Sequence, residues 1–170
     1  MSRAVIALGS NLGDRVELLD EACEALASTP GIELRAVSGL VESIAHTADG
    51  VDSDAPRYVN GVALIDTSLD AVELLERLRA VEQRFGRPAE RARWSERTLD
   101  LDLIDFEAQQ MQTERLTLPH PRAHQRVFVL APWLELDPEA QLPGCGAVRE
   151  LLERCDPAEL LALRPARGGS

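Results

Sequence analysis

Residues 97–106 read RTLDLDLIDF, and the chemistry of the chain gathers around them. Asp100 and Asp102 alternate with Leu99, Leu101 and Leu103. Side chains on a strand alternate between faces, so the two carboxylates project together while the leucines enter a core on the other side. Ionised carboxylates at neighbouring same-face positions repel, and water or a divalent cation between them relieves the repulsion. Asp105 breaks the alternation. It falls on the leucine side unless the strand twists or bulges, and it reads as a strand-end residue rather than a ligand. A lone D-x-D pair also suits an edge strand with a solvated polar face. The flank changes that balance. Arg84, Arg87, Arg91, Arg93 and Arg97 fall within fourteen residues, against only Glu90 and Glu96. Carboxylates that hold a hard cation beside guanidiniums that hold phosphate are the equipment of phosphoryl transfer.

Other reactive residues point less sharply. His120 and His124 are four apart, a spacing that could bind zinc on a helix. Pro119 and Pro121 flank His120, and His46 is the one other histidine, so each reads as a hydrogen-bonding structural residue. Cys23, Cys145 and Cys155 show no C-x-x-C spacing and read as reduced thiols. The opening GSNLGDR (9–15) matches neither the P-loop nor G-x-G-x-x-G, and Ser10 or Asn11 reads as the cap of a first helix. Trp94, inside the arginine-rich stretch, is either a core plug or a lid over a planar ligand.

The elements that must position these residues follow from periodicity. A strand is expected at 3–9 and a helix at 16–29, with Val16, Leu19, Cys23 and Leu26 on one stripe. Pro30-Gly31 ends that helix. Residues 32–43 read as a strand with an irregular centre at Ser38-Gly39, 44–57 as a long polar loop, and 58–67 as a strand. Residues 68–86 form an amphipathic helix with Ser68 or Asp70 as cap and Gly86 as stop. The arginine-rich stretch 87–97 is a loop. The strand 98–106 is followed by helices at 127–136, with Pro132 inside, and 147–155. The order βαββαβ is that of a ferredoxin-like α+β fold, an antiparallel sheet with helices on one face and C-terminal additions. One domain is expected over 1–160, with a frayed tail at 161–170.

Composition narrows the function classes. The chain has 170 residues and a formal net charge of −11, with 45% hydrophobic residues, enough for one packed core. A global acidic excess argues against nucleic acid, whose phosphates need a basic footprint. The local basic cluster suits a small anionic ligand instead. All 18 basic residues are arginines, which removes Schiff-base chemistry and the P-loop lysine. The first ten residues hold too short an apolar run for a signal peptide or membrane span, so a cytoplasmic protein is expected.

The motifs ALGSNLGDR, RFGR…RW…RTLDLDL and LPHPRAHQRVFVL occur in this order between residues 7 and 130, within a resemblance that runs from about residue 4 to about residue 155. In that combination the chain resembles the 6-hydroxymethyl-7,8-dihydropterin pyrophosphokinases of folate synthesis. The resemblance implies a ferredoxin-like fold and transfer of pyrophosphate from ATP to the pterin's hydroxymethyl group, releasing AMP. It implies that Asp100 and Asp102 hold two magnesium ions, and that Arg87, Arg97, Asp100 and Asp102 carry the catalysis. Glu82, Arg87, Trp94, Arg97, His120 and Arg126 would attend the nucleotide, and Tyr58, Asn60, Phe128 and Asp100 the pterin. A monomer is compatible with the resemblance, with a folate-pathway enzyme as candidate partner. The chain departs from the family pattern in the longer 44–57 loop and at Ser95-Glu96, where glycine and proline are usual. Those departures motivate a second reading, a catalytically weakened paralogue that binds nucleotide or pterin. An RNA-binding domain fits worse, since exposed aromatic pairs and a basic sheet face are missing.

Overall fold

The computed structural model describes residues 1–10, 15–43, 46–47, 50–51, 58–85 and 99–166. The chain runs β1 (Ser2–Ser10), α1 (Arg15–Ala27), β2 (Ile32–Val37), β3 (Val41–Ser43), the two-residue β4 (His46–Thr47) and β5 (Gly50–Val51), and β6 (Tyr58–Thr67). Then come α2 (Ala71–Arg84), β7 (Leu99–Phe106), and a small ladder of β8 (Met111–Gln112) with β9 (Thr117–Leu118). A 3₁₀ turn at Ala123–Gln125 leads into α3 (Val127–Leu136). The chain closes with β10 (Gln141–Leu142), β11 (Gly146–Ala147), α4 (Val148–Arg154), α5 (Pro157–Leu161) and β12 (Arg164–Pro165).

The main sheet has the order β12-β3-β6-β1-β7, with β2 also pairing β6. Every pair is antiparallel. The α+β class, the antiparallel sheet and the βαββαβ order are as the sequence leads one to expect. β1 and β6 sit centrally because they are nearly continuous apolar runs, which suit strands covered on both faces. Their alternate residues split between two cores. Ile6, Leu8, Ile65, Leu101 and Leu103 pack against Leu19 and Leu26 of α1 and Leu74 and Leu78 of α2. Burying such a side chain contributes about 1.5–3 kcal/mol, so this layer holds much of the stability. The entry of α2 is fixed by a capping box: Asp70 Oδ1 accepts from Glu73 N at 2.8 Å, and Glu73 Oε1 accepts from Asp70 N at 3.1 Å.

The opposite face carries a second core, which the expected one-sided packing did not contain. Val5, Val62 and Ile104 meet Val129, Leu130 and Trp133 of α3, and Val148 and Leu151 of α4. The C-terminal additions therefore form a second helical layer. Pro132 is buried inside α3.

Four further expectations need correction. The 32–43 strand is two strands, β2 and β3, parted at the irregular centre expected at Ser38-Gly39, and β2 also shifts register against β6 between Leu34 and Ala36. Ser38 manages the break: its Oγ accepts from Val62 N at 2.9 Å and donates to Gly39 O at 2.9 Å. Ser10 caps no helix. It ends β1 between Val59 and Leu99, and its buried hydroxyl has no hydrogen-bond partner among the described residues; the alternative cap, Asn11, lies outside them. Asp105 does not join the leucines. The β1–β7 register slips between Ile6↔Leu103 and Val5↔Asp105, so Ile104 is an extra residue and Asp105 faces the Asp100 side. The tail does not fray at once. Arg164 and Pro165 pair with Glu42 and Val41 of β3, and Ala166 N donates to Leu40 O at 2.9 Å.

Candidate active site

The second face of the sheet is covered over only part of its length. Where α3 and α4 stop, a cleft of about 770 Å³ remains. Its floor is set by strand register. Asp100 of β7 lies beside Gly9 of β1, which lies beside Asn60 of β6. One step along, Asp102 lies beside Ala7. The strand alternation read from LDLDL thus holds: Leu99 and Leu101 are fully buried beneath the helices, while Asp100 and Asp102 line the cleft. The two side chains are separated by one two-residue strand repeat, about 6.5–7 Å between Cα atoms.

One wall is cationic. Arg122 and Arg126 line it together with Gln125, at the turn leading into α3. The Arg126 guanidinium lies 3.8 Å from Asp102 Oδ2 and 5.7 Å from the centre of the Phe128 ring. His120 is docked beside β7 by its backbone N–H, which donates to Ile104 O at 3.0 Å. Its Nδ1 accepts from Arg122 N at 3.2 Å, which assigns the ring proton to Nε2. Burial pushes the His120 pKa below its ordinary 6.5; Asp102 pulls it the other way, and Arg126 and Arg122 add to the lowering. The imidazole is neutral at pH 7 and offers Nε2–H as a donor.

The other end is aromatic and amide-bearing. Tyr58 is about one-third exposed at the start of β6, and Phe128 is half-buried on α3. Asn60 is buried, and its Nδ2 donates to Ser43 Oγ at 2.9 Å. That bond leaves Oδ1 over Gly9, where a Cβ would come within 3.1 Å of it. A side chain at Gly9 would press on this amide oxygen, so glycine eases the close approach. The far wall is α5 and the residues on either side of it: Asp156, Ala158, Glu159, Ala162 and Leu163.

The structure therefore gathers Asp100, Asp102, Tyr58, Asn60, Phe128 and Arg126 into one cleft, with His120 next to its cationic wall. Arg87, Trp94 and Arg97 lie outside the described residues. Glu82 stands elsewhere. It is buried, and its carboxylate accepts from Leu101 N at 2.8 Å and from Arg79 Nη1 at 2.8 Å. These bonds tie Glu82 to the outer edge of β7. Among the described residues no cluster of three or more His, Cys, Asp or Glu side chains could hold a metal. A pair of carboxylates in an open cleft suits magnesium, which takes one or two carboxylates and fills its other positions with water and phosphate.

A family model described as 7,8-dihydro-6-hydroxymethylpterin-pyrophosphokinase matches residues 5–138. This chain belongs to that family. A 2-amino-4-hydroxy-6-hydroxymethyldihydropteridine pyrophosphokinase of Methylorubrum extorquens is 40% identical over 158 residues, covering 93% of this chain and 96% of the relative. One of the same description from Pseudomonas aeruginosa is 40% identical over 156 residues, covering 91% of this chain and 93% of its own. Among solved structures, the HPPK-DHPS A437G protein of Plasmodium falciparum superposes with a TM-score of 0.67 at 13% identity. That match covers 90% of this chain and 45% of that one, and it shows the shared fold.

Several parts of this pyrophosphokinase cleft escaped the sequence reading. Gly9 and Ser43 act through what they allow Asn60 to do, and their signal lies in strand register rather than residue type. Arg122 stands in the LPHPR motif, where its type and place could have marked it. The α5 wall had no sequence signal, since Ala158, Ala162 and Leu163 carry no chemistry of their own.

Proposed function

We propose that this chain transfers the pyrophosphoryl group of ATP to the hydroxymethyl group of 6-hydroxymethyl-7,8-dihydropterin in folate biosynthesis, releasing AMP. The observation that carries the reading is one cleft with three kinds of lining: paired carboxylates on its floor, guanidiniums on one wall, and an amide with two aromatic rings at the far end. Those linings match a divalent cation, a polyphosphate and a flat heterocycle. The family membership supports the same assignment.

Asp100 and Asp102 would hold magnesium, two ions in this reading, and bound magnesium supplies charge neutralisation of the triphosphate and polarisation of the attacking hydroxyl. Asp102 shares its end of the floor with Arg126 and His120, which suits the phosphate chain. Asp100 shares a strand row with Asn60, which suits the hydroxymethyl end of the pterin. Asn60 Oδ1 accepts a ring N–H, and Phe128 and Tyr58 cover the ring faces. His120 Nε2–H and the Arg126 guanidinium donate to phosphate oxygens, and Arg87 and Arg97 are assigned to the same task. Trp94 is assigned to the segment that excludes water, which would otherwise intercept the pyrophosphoryl group. The hydroxyl oxygen bonds to the β-phosphorus as the bond from β-phosphorus to the oxygen it shares with the α-phosphorus breaks; AMP leaves with that oxygen, and the hydroxyl proton passes to solvent. Positioning and charge stabilisation carry such a reaction, with little covalent work for the protein.

The family membership disfavours a binding module without turnover. The reading includes a cytoplasmic enzyme, and no described helix is long and apolar enough to cross a membrane. A folate-pathway partner also belongs to it, supported by the solved HPPK-DHPS chains of the same fold. The test is incubation with Mg-ATP and the pterin alcohol while AMP and the pterin diphosphate are followed. Equal accumulation of both is expected; AMP at the level of a pterin-free control would overturn the reading.

A further inference from the structure

β7 carries both cleft aspartates, yet it is the last strand in the sheet order. Its inner side is held by β1. Its outer side must find other partners for the N–H and C=O groups that point away from the sheet, since unpaired backbone groups are costly when buried. At Leu101, the residue between the two aspartates, α2 provides them. Glu82 Oε2 accepts from Leu101 N at 2.8 Å, and Arg79 Nη1 donates to Leu101 O at 3.0 Å. Arg79 Nη1 also donates to Glu82 Oε1 at 2.8 Å. The three bonds close a ring of one residue's backbone, one carboxylate and one guanidinium.

We infer that Arg79 and Glu82 are positioning residues for the metal-binding pair, replacing the missing neighbour strand at the point where the spacing of Asp100 and Asp102 is set. Glu82 is 2% exposed, so its carboxylate is committed to this place. Leu101 is fully buried on the helix side, so its side chain fixes the strand's rotation while the ring fixes its edge. Charge-assisted bonds of this kind are stronger and more directional than neutral ones. Hydrogen bonds behind metal ligands set ligand orientation and commonly alter metal affinity on removal. The sequence shows Arg79 and Glu82 only as an i,i+3 pair on a helix, a pattern that usually reads as a solvated ion pair. The inference rests on the proposed assignment of Asp100 and Asp102 to magnesium.

The test uses the full chain with Arg79→Met, which keeps the stem and removes the fork, and Arg79→Lys, whose ammonium can reach both oxygens. Amide hydrogen exchange reads Leu101 directly, with Ala63 and Ile65 of β6 as internal controls. Calorimetry reads the magnesium midpoint with a non-hydrolysable ATP analogue, so no turnover is needed. In Arg79→Met, Leu101 exchange should rise at least about tenfold against unchanged controls. The magnesium midpoint should rise about tenfold or more, and the pterin KM should stay level while kcat falls. Arg79→Lys should restore most of both. Faster exchange with an unchanged magnesium midpoint would overturn the inference by reducing the ring to a structural role. Unchanged exchange would overturn it by showing no ring in solution. A wild-type chain that binds no magnesium–nucleotide would instead sink the pyrophosphokinase reading itself, which separates the two failures.

Discussion

The two faces of the sheet are built from the same strands, yet one is sealed and the other is open. On β7 they differ by a single residue step. Leu99, Leu101 and Leu103 look toward α1 and α2, and Asp100 and Asp102 look into the cleft. The sealed face meets two long helices that bring complementary leucines. The open face is covered by α3 and α4 at one end, where Ile104 continues the row of Asp100 and Asp102 into that core and the bulge brings Asp105 to the same side. Stability and chemistry are thereby separated by strand pleat rather than by distance along the chain. Substitutions of side chains packed in the sealed core should act first on folding, and substitutions in the cleft should act first on the chemistry.

The largest contrast is expected within β7. Asp100→Asn and Asp102→Asn should each lower kcat/KM by about 10²–10³, in line with the loss of a transition-state-stabilising group. Their thermal midpoints should stay within a few degrees of the wild type, as for surface substitutions. Steady-state AMP formation and calorimetric unfolding measure the two sides. Leu101→Ala should act first on stability, costing about 2–5 kcal/mol through a core cavity. Denaturant titration measures that cost, and a Leu101→Ala chain of wild-type stability would break the comparison. Asn60→Ala should raise the pterin KM about tenfold while the ATP KM is unchanged, since one buried amide acceptor is removed. An equal effect on both substrates would place Asn60 away from the pterin.

The smallest effect sharpens the comparison at the end of the strand. Burial raises the Asp105 pKa above its ordinary 3.8, hydrogen bonds from the Ala108 and Phe106 backbone offset part of the rise, and Glu107 adds slightly to it. Its Oδ1 is buried without a partner among the described residues. Above 3.8 the folded chain holds this proton more firmly than the unfolded chain. Stability therefore falls as pH rises through that window, and the full cost stands at neutral pH. Asp105→Asn should raise the thermal midpoint at pH 7 by about 2–4 °C, a gain of about 1 kcal/mol in a domain of this size. The gain should vanish below pH 3.8. A gain that persists in acid would point to a packing effect instead.

Much of this architecture was legible where one residue type repeats at one period. The LDLDL alternation announced both faces of β7, and the stripe on α2 with Asp70 as cap announced its packing. Three kinds of feature were not legible. The slip at Ile104 depends on which core the extra residue joins, which no local pattern records. The second helical layer and the strand at Arg164–Pro165 depend on surfaces that exist only once the sheet has formed. The turn after β7 puts Glu107 and Ala108 at φ of 51° and 54°, where sequence rules expect glycine or asparagine. At the site, Asp100, Asp102, Asn60 and Phe128 could be named from motif and resemblance. Glu82 was named too, but its acidic type did not reveal its bond to a strand edge.

The most direct test of the central claim is where a divalent cation sits when the chain is crystallised with manganese, a non-hydrolysable ATP analogue and the pterin alcohol. Anomalous scattering should place manganese between Asp100, Asp102 and the phosphate oxygens, with the pterin ring against Asn60 and Phe128. Manganese bound elsewhere, with both aspartates facing only water or arginine, would contradict the account.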